Sequence, residues 1–308
     1  MMKDIPLFSQ LVRSIPDIIY AHLPGKTLKQ FFINIYYRFT QLYALDKIVI
    51  NAELLQDGIA FIELEDGTKF YGERDNDTSQ RDVTYDVIQK LDKLKKLDCS
   101  RKMLGVLCTQ YVAAVYEKCY KLREGDIVVD VGAHIGTFTV KAAKAVGNKG
   151  KVIAIEPEAN NLKLLSRNVE ANGLQNVSIV PKGIWGSKGR LKLNISHKRS
   201  TGHSFYTDEQ HETKDTNEFN EVEIDTVDNI IGQVGIGPVN FIKMNIQGAE
   251  IEAIRGMDEI LSSDVKLAIA GSHTVAGQKT YQIIIPWLMK LGFQVRRNAG
   301  IICATKEI

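Results

Sequence analysis

The sequence predicts an α/β protein. Its larger part is a mostly parallel sheet with helices on both faces, and a smaller extension of helices and a β-meander precedes it. Three observations carry this. From Gly125 onward, short strand-like runs alternate with helical ones. Those runs are continuously apolar, as in strands buried on both faces. Before them, residues 47–73 alternate apolar and polar and carry Asp57-Gly58 and Asp66-Gly67, the turn signals of antiparallel hairpins. The chain's 308 residues, 44% hydrophobic and 25% charged, suffice for a sizeable core.

Taken in order, residues 26–45, "KTLKQFFINIYYRFTQLYAL", read as an aromatic-rich helix packed on the main body. The meander follows over 47–73. Residues 83–98 and 103–121 read as helices, and the lysines of "KLDKLKKLD" as a solvated helix face, since no aromatics alternate with them. Then come "IVVDVGA", a helix over 137–146, "KVIAIEP", a helix over 159–172 and "NVSIV". Beyond a long polar insertion at 196–219 lie "VNFIKMN", a helix over 248–261, "VKLAIAG", a helix over 280–291, "FQVRR" and "IICATK". The division expected is an N-terminal extension over 1–121 and the main domain over 122–308.

Composition sets outer bounds. A net charge of +2 neither demands nor forbids a polyanionic partner. Four scattered cysteines (Cys99, Cys108, Cys119, Cys303) without a CxxC pair suit a reducing compartment and suggest neither a zinc site nor a disulfide framework. No apolar run is long enough to span a bilayer, and the N-terminus has no signal-peptide core, so a cytoplasmic location is expected.

The chemistry concentrates in "VVDVGAHIGTF", residues 128–138. A tight strand-to-helix turn uses glycines, here Gly132 and Gly136, for unusual dihedrals and close ligand approach. The free N–H groups of the following helix would suit a phosphate. Yet the order is not G-x-G-x-x-G, and Asp130 stands before the first glycine, where a cationic ligand group fits better. Glu156 ends the second strand, about twenty residues after Gly136, where an acid accepts ribose hydroxyls. Either acid alone could simply cap a helix. Together they bracket a ligand with a cationic amino-acid end and a ribose, and S-adenosylmethionine fits.

The segments "LREGDIVVDVGAHIGTFT", "IEPEANNLKLLSRNVEANGLQNV", "TVDNII" and "IKMNIQGAEIEAIRGM" make residues 122–307 resemble the FkbM family of S-adenosylmethionine-dependent methyltransferases. The resemblance implies a Rossmann-like class I fold: a seven-stranded sheet whose last strand runs antiparallel. It implies a donor held by Asp130, Gly132 and Gly136, with Glu156 on the ribose, and the same expected donor site takes in Ala133, His134, Phe138, Pro157, Lys182 and Gly183. It implies O-methylation of a small-molecule or carbohydrate hydroxyl. Residues 1–121 match nothing in the family.

One departure stands out. The family's Ile-Asp-Val-Glu-Gly-Ala-Glu is here Met244-Asn245-Ile246-Gln247-Gly248-Ala249-Glu250, so two carboxylates have become amides. Asn245, expected beside the donor methyl, can hydrogen-bond but cannot take a proton or offer an anionic oxygen, so no metal is expected there. Glu250 suits the start of the next helix. His273 at a strand tip is then the expected general base; Asn245 and Glu250 complete the expected catalytic set, Glu250 as the rival base that its place at a helix start assigns to backbone N–H groups instead. His203 and Ser204 in the insertion are candidate substrate contacts, Trp185 a candidate adenine border, and Gln110 and Tyr111 candidates for the methionine carboxylate. The alternatives are N- or RNA-directed methylation, or a donor-binding interaction protein without catalysis.

Overall fold

The computed structural model describes residues 40–56, 58–73, 93–94, 101–196, 201–206, 218–298 and 300–306. The expected helix over 83–98 therefore lies outside the described residues apart from 93–94, as does the part of 26–45 before residue 40. Residues 40–48 are helical.

The meander forms as its turn signals require. β1 (Val49–Leu54), β2 (Ile59–Leu64) and β3 (Lys69–Glu73) pair antiparallel in that order, with Gly58 and Gly67 at φ +78° and +76° in the turns. The expected helix over 103–121 is shorter. An α-helix, α1 (Arg101–Val106), widens into a π-helical turn at Leu107–Val112, and the chain is not helical from Ala113 to Lys121. Tertiary contacts override helix propensity there. Tyr116 is buried against Phe138, and Cys119 is bonded to Cys303. That disulfide corrects the reading of the cysteines, which no longer argue for a reducing compartment.

The main sheet is built from β4 (Ile127–Val131), β5 (Lys151–Ile155), β6 (Val177–Val180), β10 (Phe241–Met244), β11 (Lys266–Ala270), β14 (Gln294–Asn298) and β15 (Ile301–Thr305). The seven strands stand in the order β14-β15-β11-β10-β4-β5-β6. β15 is antiparallel to both neighbours, and the pairings from β11 across to β6 are parallel. β4, β5, β10 and β11 are buried almost throughout, which explains their unbroken apolar runs. α2 (Thr137–Val146) and α3 (Ala159–Ala171) follow β4 and β5.

A small second sheet, unforeseen in the sequence, consists of β7 (Gly183–Ile184), β8 (Gly189–Asn194) and β9 (Phe219–Asp225), in the order β7-β9-β8. It leads into α4 (Val227–Val234), N-capped by Thr226. The single helix expected over 248–261 is two, α5 (Glu250–Arg255) and α6 (Asp258–Ser262). The break falls at Gly256, where a Cβ would stand 2.7 Å from Thr226 Cγ2 and 3.0 Å from the Trp185 carbonyl oxygen. A hairpin, β12 (Thr274–Val275) and β13 (Gln278–Lys279), precedes α7 (Thr280–Lys290).

The meander and main domain share a core. Val49, Ile62 and Phe70 cluster with Leu104 and Leu107, and with Ile135, Val140 and Leu164 of the main domain. Among the described residues no helix is long and apolar enough to cross a membrane.

Candidate active site

A cavity of about 70 Å³, open to solvent, lies at the carboxyl ends of β4, β5 and β10, where ligands of such sheets bind. The turn after β4 forms its floor. The backbone N–H groups of Gly132 and Ala133 both donate to Ile155 O at 3.0 Å, locking the turn to β5. Gly132 has φ +76°, and a Cβ there would collide with the Asn245 carbonyl oxygen. Gly136 has φ +84°, and a Cβ would meet Leu165 Cδ1 at 2.5 Å. Both glycines are thus demanded by backbone conformation and packing. His134, between them, is left-handed at φ +54°, and its N–H donates to Glu156 Oε2 at 2.9 Å.

Glu156 is buried at the tip of β5 and lines the cavity. Its Oε1 accepts from Glu158 N and Asn161 Nδ2, both at 3.2 Å. Burial raises its pKa above the ordinary carboxylate value, and these donors offset only part of that. His134 also lines the cavity. Burial, then His203 and Lys243 nearby, push its pKa down to about 3, so its ring is neutral.

Asp130 is placed differently from the expectation. It is fully buried and does not line the cavity. Lys243 Nζ donates to its Oδ1 at 2.8 Å and Thr139 Oγ1 to its Oδ2 at 2.6 Å. The same ammonium donates to Gly132 O at 2.6 Å. Burial disfavours the charge on Lys243, but the Asp130 carboxylate outweighs this and holds its pKa above the usual lysine value. Lys243 was not singled out in the sequence, although a lysine inside the apolar run "VNFIKMN" was a visible signal.

Of the remaining expected donor residues, Pro157, Lys182, Gly183 and Asn245 line the cavity with Gly132 and Glu156. Lys182 is paired with Asp225 at 2.9 Å. Ala133, Gly136 and Phe138 are not part of the lining. Phe138 is sealed between Tyr116 and Phe241 at centroid distances of 5.7 and 6.3 Å.

The loop after β10 carries the two amides. Asn245 Nδ2 donates to Tyr116 OH at 3.0 Å, and Gln247 Nε2 to Asn245 Oδ1 at 3.4 Å. Gln247 is left-handed at φ +53°, an uncommon conformation outside glycine. Glu250 holds it there by accepting Ile246 N at 2.9 Å and Gly248 N at 3.0 Å. Ser204 Oγ donates to Gln247 O at 3.0 Å.

His273 stands behind this loop and does not line the cavity. Its Nδ1 lies 2.8 Å from Glu250 Oε1. Burial lowers its pKa, but Glu250 raises it by more, leaving it above the ordinary imidazole value. The expected general base is thus an ion-pair partner of Glu250. His203 and Ser204 do reach the cavity, on a strap over 201–206 fixed to β8 by Asn194 N→Ser204 O and Ser204 N→Asn194 O at 2.9 and 3.2 Å. Ser196 N donates to His203 Nδ1 at 3.1 Å. Gln110 lines the cavity, whereas Tyr111 turns away and donates to Asp66 Oδ2 at 3.0 Å. Trp185 packs against Phe205 and Tyr206 rather than lining the cavity. The hydrophobic wall, including Ile155, Ile184 and Leu193, carried no signal distinct from core residues.

The glycine turn after the first strand of the main sheet and a buried carboxylate at the tip of the second thus meet at one cavity. This fold and site define a class I, S-adenosylmethionine-dependent methyltransferase domain. The chain belongs to the FkbM methyltransferase family, whose domain model matches residues 130–295, more than half of its length. It is 24% identical over 160 residues to "Methyltransferase 1" of Beauveria bassiana, covering 46% of this chain and 64% of that one. It is 38% identical over 63 residues to a probable cobalt-precorrin-6B C(15)-methyltransferase (decarboxylating) of Saccharolobus solfataricus, covering 20% of this chain and 32% of that one. The chain therefore spans less than two thirds of either relative. Among solved structures, an Aquifex aeolicus SAM-dependent methyltransferase aligns with a TM-score of 0.39 at 18% identity, over 74% of this chain and 100% of that one.

Proposed function

We propose that this methyltransferase acts on an oxygen of a small-molecule or carbohydrate acceptor. The supporting observation is the polar part of the lining other than Glu156 and Lys182. Gln110, Asn245 and Gln247 offer amides, Thr201 and Ser204 hydroxyls, and His203 an imidazole. These neutral groups match a hydroxylated acceptor, whereas an ammonium would find no carboxylate there. Gly132, Glu156, Pro157, Lys182, Gly183 and Asn245 hold the donor, and Asp130 acts on it through Lys243. Bound S-adenosylmethionine supplies an electrophilic methyl group. The chain's own residues then align the acceptor and exclude water. His203 orients the acceptor: with Nδ1 accepting from Ser196 N–H, the neutral ring carries its proton on Nε2 and acts as a donor.

The test is transfer of labelled methyl from S-adenosylmethionine into fractionated small molecules, glycans, RNA and protein. Label in a small-molecule or glycan fraction, stable to alkali as an ether, is the expected result. Label in RNA or protein would overturn the acceptor class. No label from a protein that binds S-adenosylhomocysteine would point to a donor-binding protein without catalysis.

A further inference from the structure

We propose that the N-terminal meander is a working part of the donor site, and that Asn168 is the positioning residue joining the two. The inference rests on the donor reading of the cavity. Asn168, on α3, is fully buried. Its Oδ1 accepts Tyr71 N at 2.6 Å, and its Nδ2 donates to Tyr71 O at 3.0 Å and to Ile135 O at 2.7 Å. Tyr71 lies on β3, the edge strand of the meander. Ile135 lies inside the glycine turn, between His134 and Gly136. A single amide thus grips the meander and the donor turn together.

One helical turn further on, Asn172 repeats half of this arrangement. It accepts Lys69 N at 3.0 Å and donates to Lys69 O at 2.7 Å, but makes no bond to the donor turn. The spacing explains why a helix can do this. Four residues of helix advance ~6 Å, and two residues of strand ~6.8 Å. Asparagines at i and i+4 therefore meet the outward N–H and C=O groups of strand residues j+2 and j. A side-chain amide is suited to the task because it accepts and donates in one plane, as a peptide does. The pair occupies the open edge of β3 as a neighbouring strand would.

Two further contacts run the same way. The Ile135 side chain shares a core with Ile62, Phe70, Leu104 and Leu107. The π-helical turn places Gln110 in the cavity lining, while the adjacent Tyr111 donates to Asp66 in the meander and accepts Lys141 Nζ from α2 through its carbonyl. The turn's left-handed residues are thus braced by chain outside the family's matched region. Ordering of the turn by the donor and ordering of the meander edge are coupled, and the coupling is reciprocal.

The experiment is hydrogen–deuterium exchange on the full chain with and without S-adenosylhomocysteine, alongside titration calorimetry of wild type, Asn168→Ala and Asn172→Ala. S-adenosylhomocysteine should slow exchange at 69–72 and 107–112 as well as at 130–136. Asn168→Ala should bind it about tenfold or more weakly, within the usual range of coupling between sites. Asn172→Ala, which strips the same meander edge without touching the turn, should stay within about twofold of wild type. Protection confined to the main domain, or equal losses in the two variants, would overturn the coupling. If Asn168→Ala does not fold, the wild-type exchange pattern decides alone. Failure of wild type to bind S-adenosylhomocysteine at all would instead contradict the donor reading.

Discussion

Lys243 is the buried cation on which the glycine turn rests. It binds Asp130 and the Gly132 carbonyl together, so it neutralises a buried carboxylate and fixes the Gly132 peptide. Removing one partner of a buried ion pair strands the other charge, at a cost of about 3–5 kcal/mol. Lys243→Met should lose that much stability in chemical denaturation, and Lys243→Met with Asp130→Asn should regain most of it; an unchanged midpoint in the single variant would contradict the pairing. His273 gives a pH prediction. Its folded pKa is raised by Glu250, so its contribution to stability is complete below the unfolded value of about 6.5 and is lost as pH rises through the higher folded value. His273→Gln should therefore destabilise more at pH 6 than at pH 9 in urea unfolding, and an equal loss at both would exclude a charged His273–Glu250 pair. At this scale the sequence disclosed which residues are special better than what they face. Asp130 is conspicuous because an acid is costly among β-branched residues, but its partner emerges only once β10 is known to lie beside β4. His273 lies in the loop three residues beyond the end of β11, and Glu250, reserved for backbone N–H groups in the sequence reading, binds it as well.

The elements that follow the βα alternation were legible because a doubly covered parallel sheet imposes continuous apolar runs and helices of matching length. The elements that were missed obey other rules. β8 and β9, "GRLKLN" and "FNEVEID", are charged and largely exposed in a small sheet, so no buried face marks them. The π-helical turn and the end of helix at Ala113 depend on Tyr116 and Cys119 finding distant partners. The split between α5 and α6 depends on a neighbour that local pattern cannot reveal: Gly256 packs against Thr226, the N-cap of α4. Gly256→Ala should cost about 1–3 kcal/mol through overpacking, measured by thermal unfolding, and a neutral result would show that this contact relaxes freely. At the strap, His203→Ala should lower kcat/KM for the true acceptor about tenfold, near the value of a lost hydrogen bond, while His203→Gln retains most of it. Full activity in His203→Ala would remove His203 from the acceptor site.

For the whole molecule, the seven-stranded, mostly parallel sheet, its antiparallel last strand and the position of the cavity follow from the alternation after Gly125 together with the family motifs. The relation of the meander to that domain does not, because it rests on Asn168, Asn172 and a core assembled from distant segments. The central claim is that the glycine turn after β4 and Glu156 at the tip of β5 form an S-adenosylmethionine site. Titration calorimetry with S-adenosylhomocysteine, comparing wild type with Glu156→Gln, tests it most directly. The glutamine keeps an acceptor for His134 N–H but loses the charge to which we assign the ribose hydroxyls, and hydrogen bonds to charged groups are worth about 1.5–3 kcal/mol. Wild type should bind, and the variant should bind at least about tenfold more weakly. Equal affinity in the two proteins would contradict the ribose assignment, and binding of NADH in place of S-adenosylhomocysteine would contradict the site as a whole.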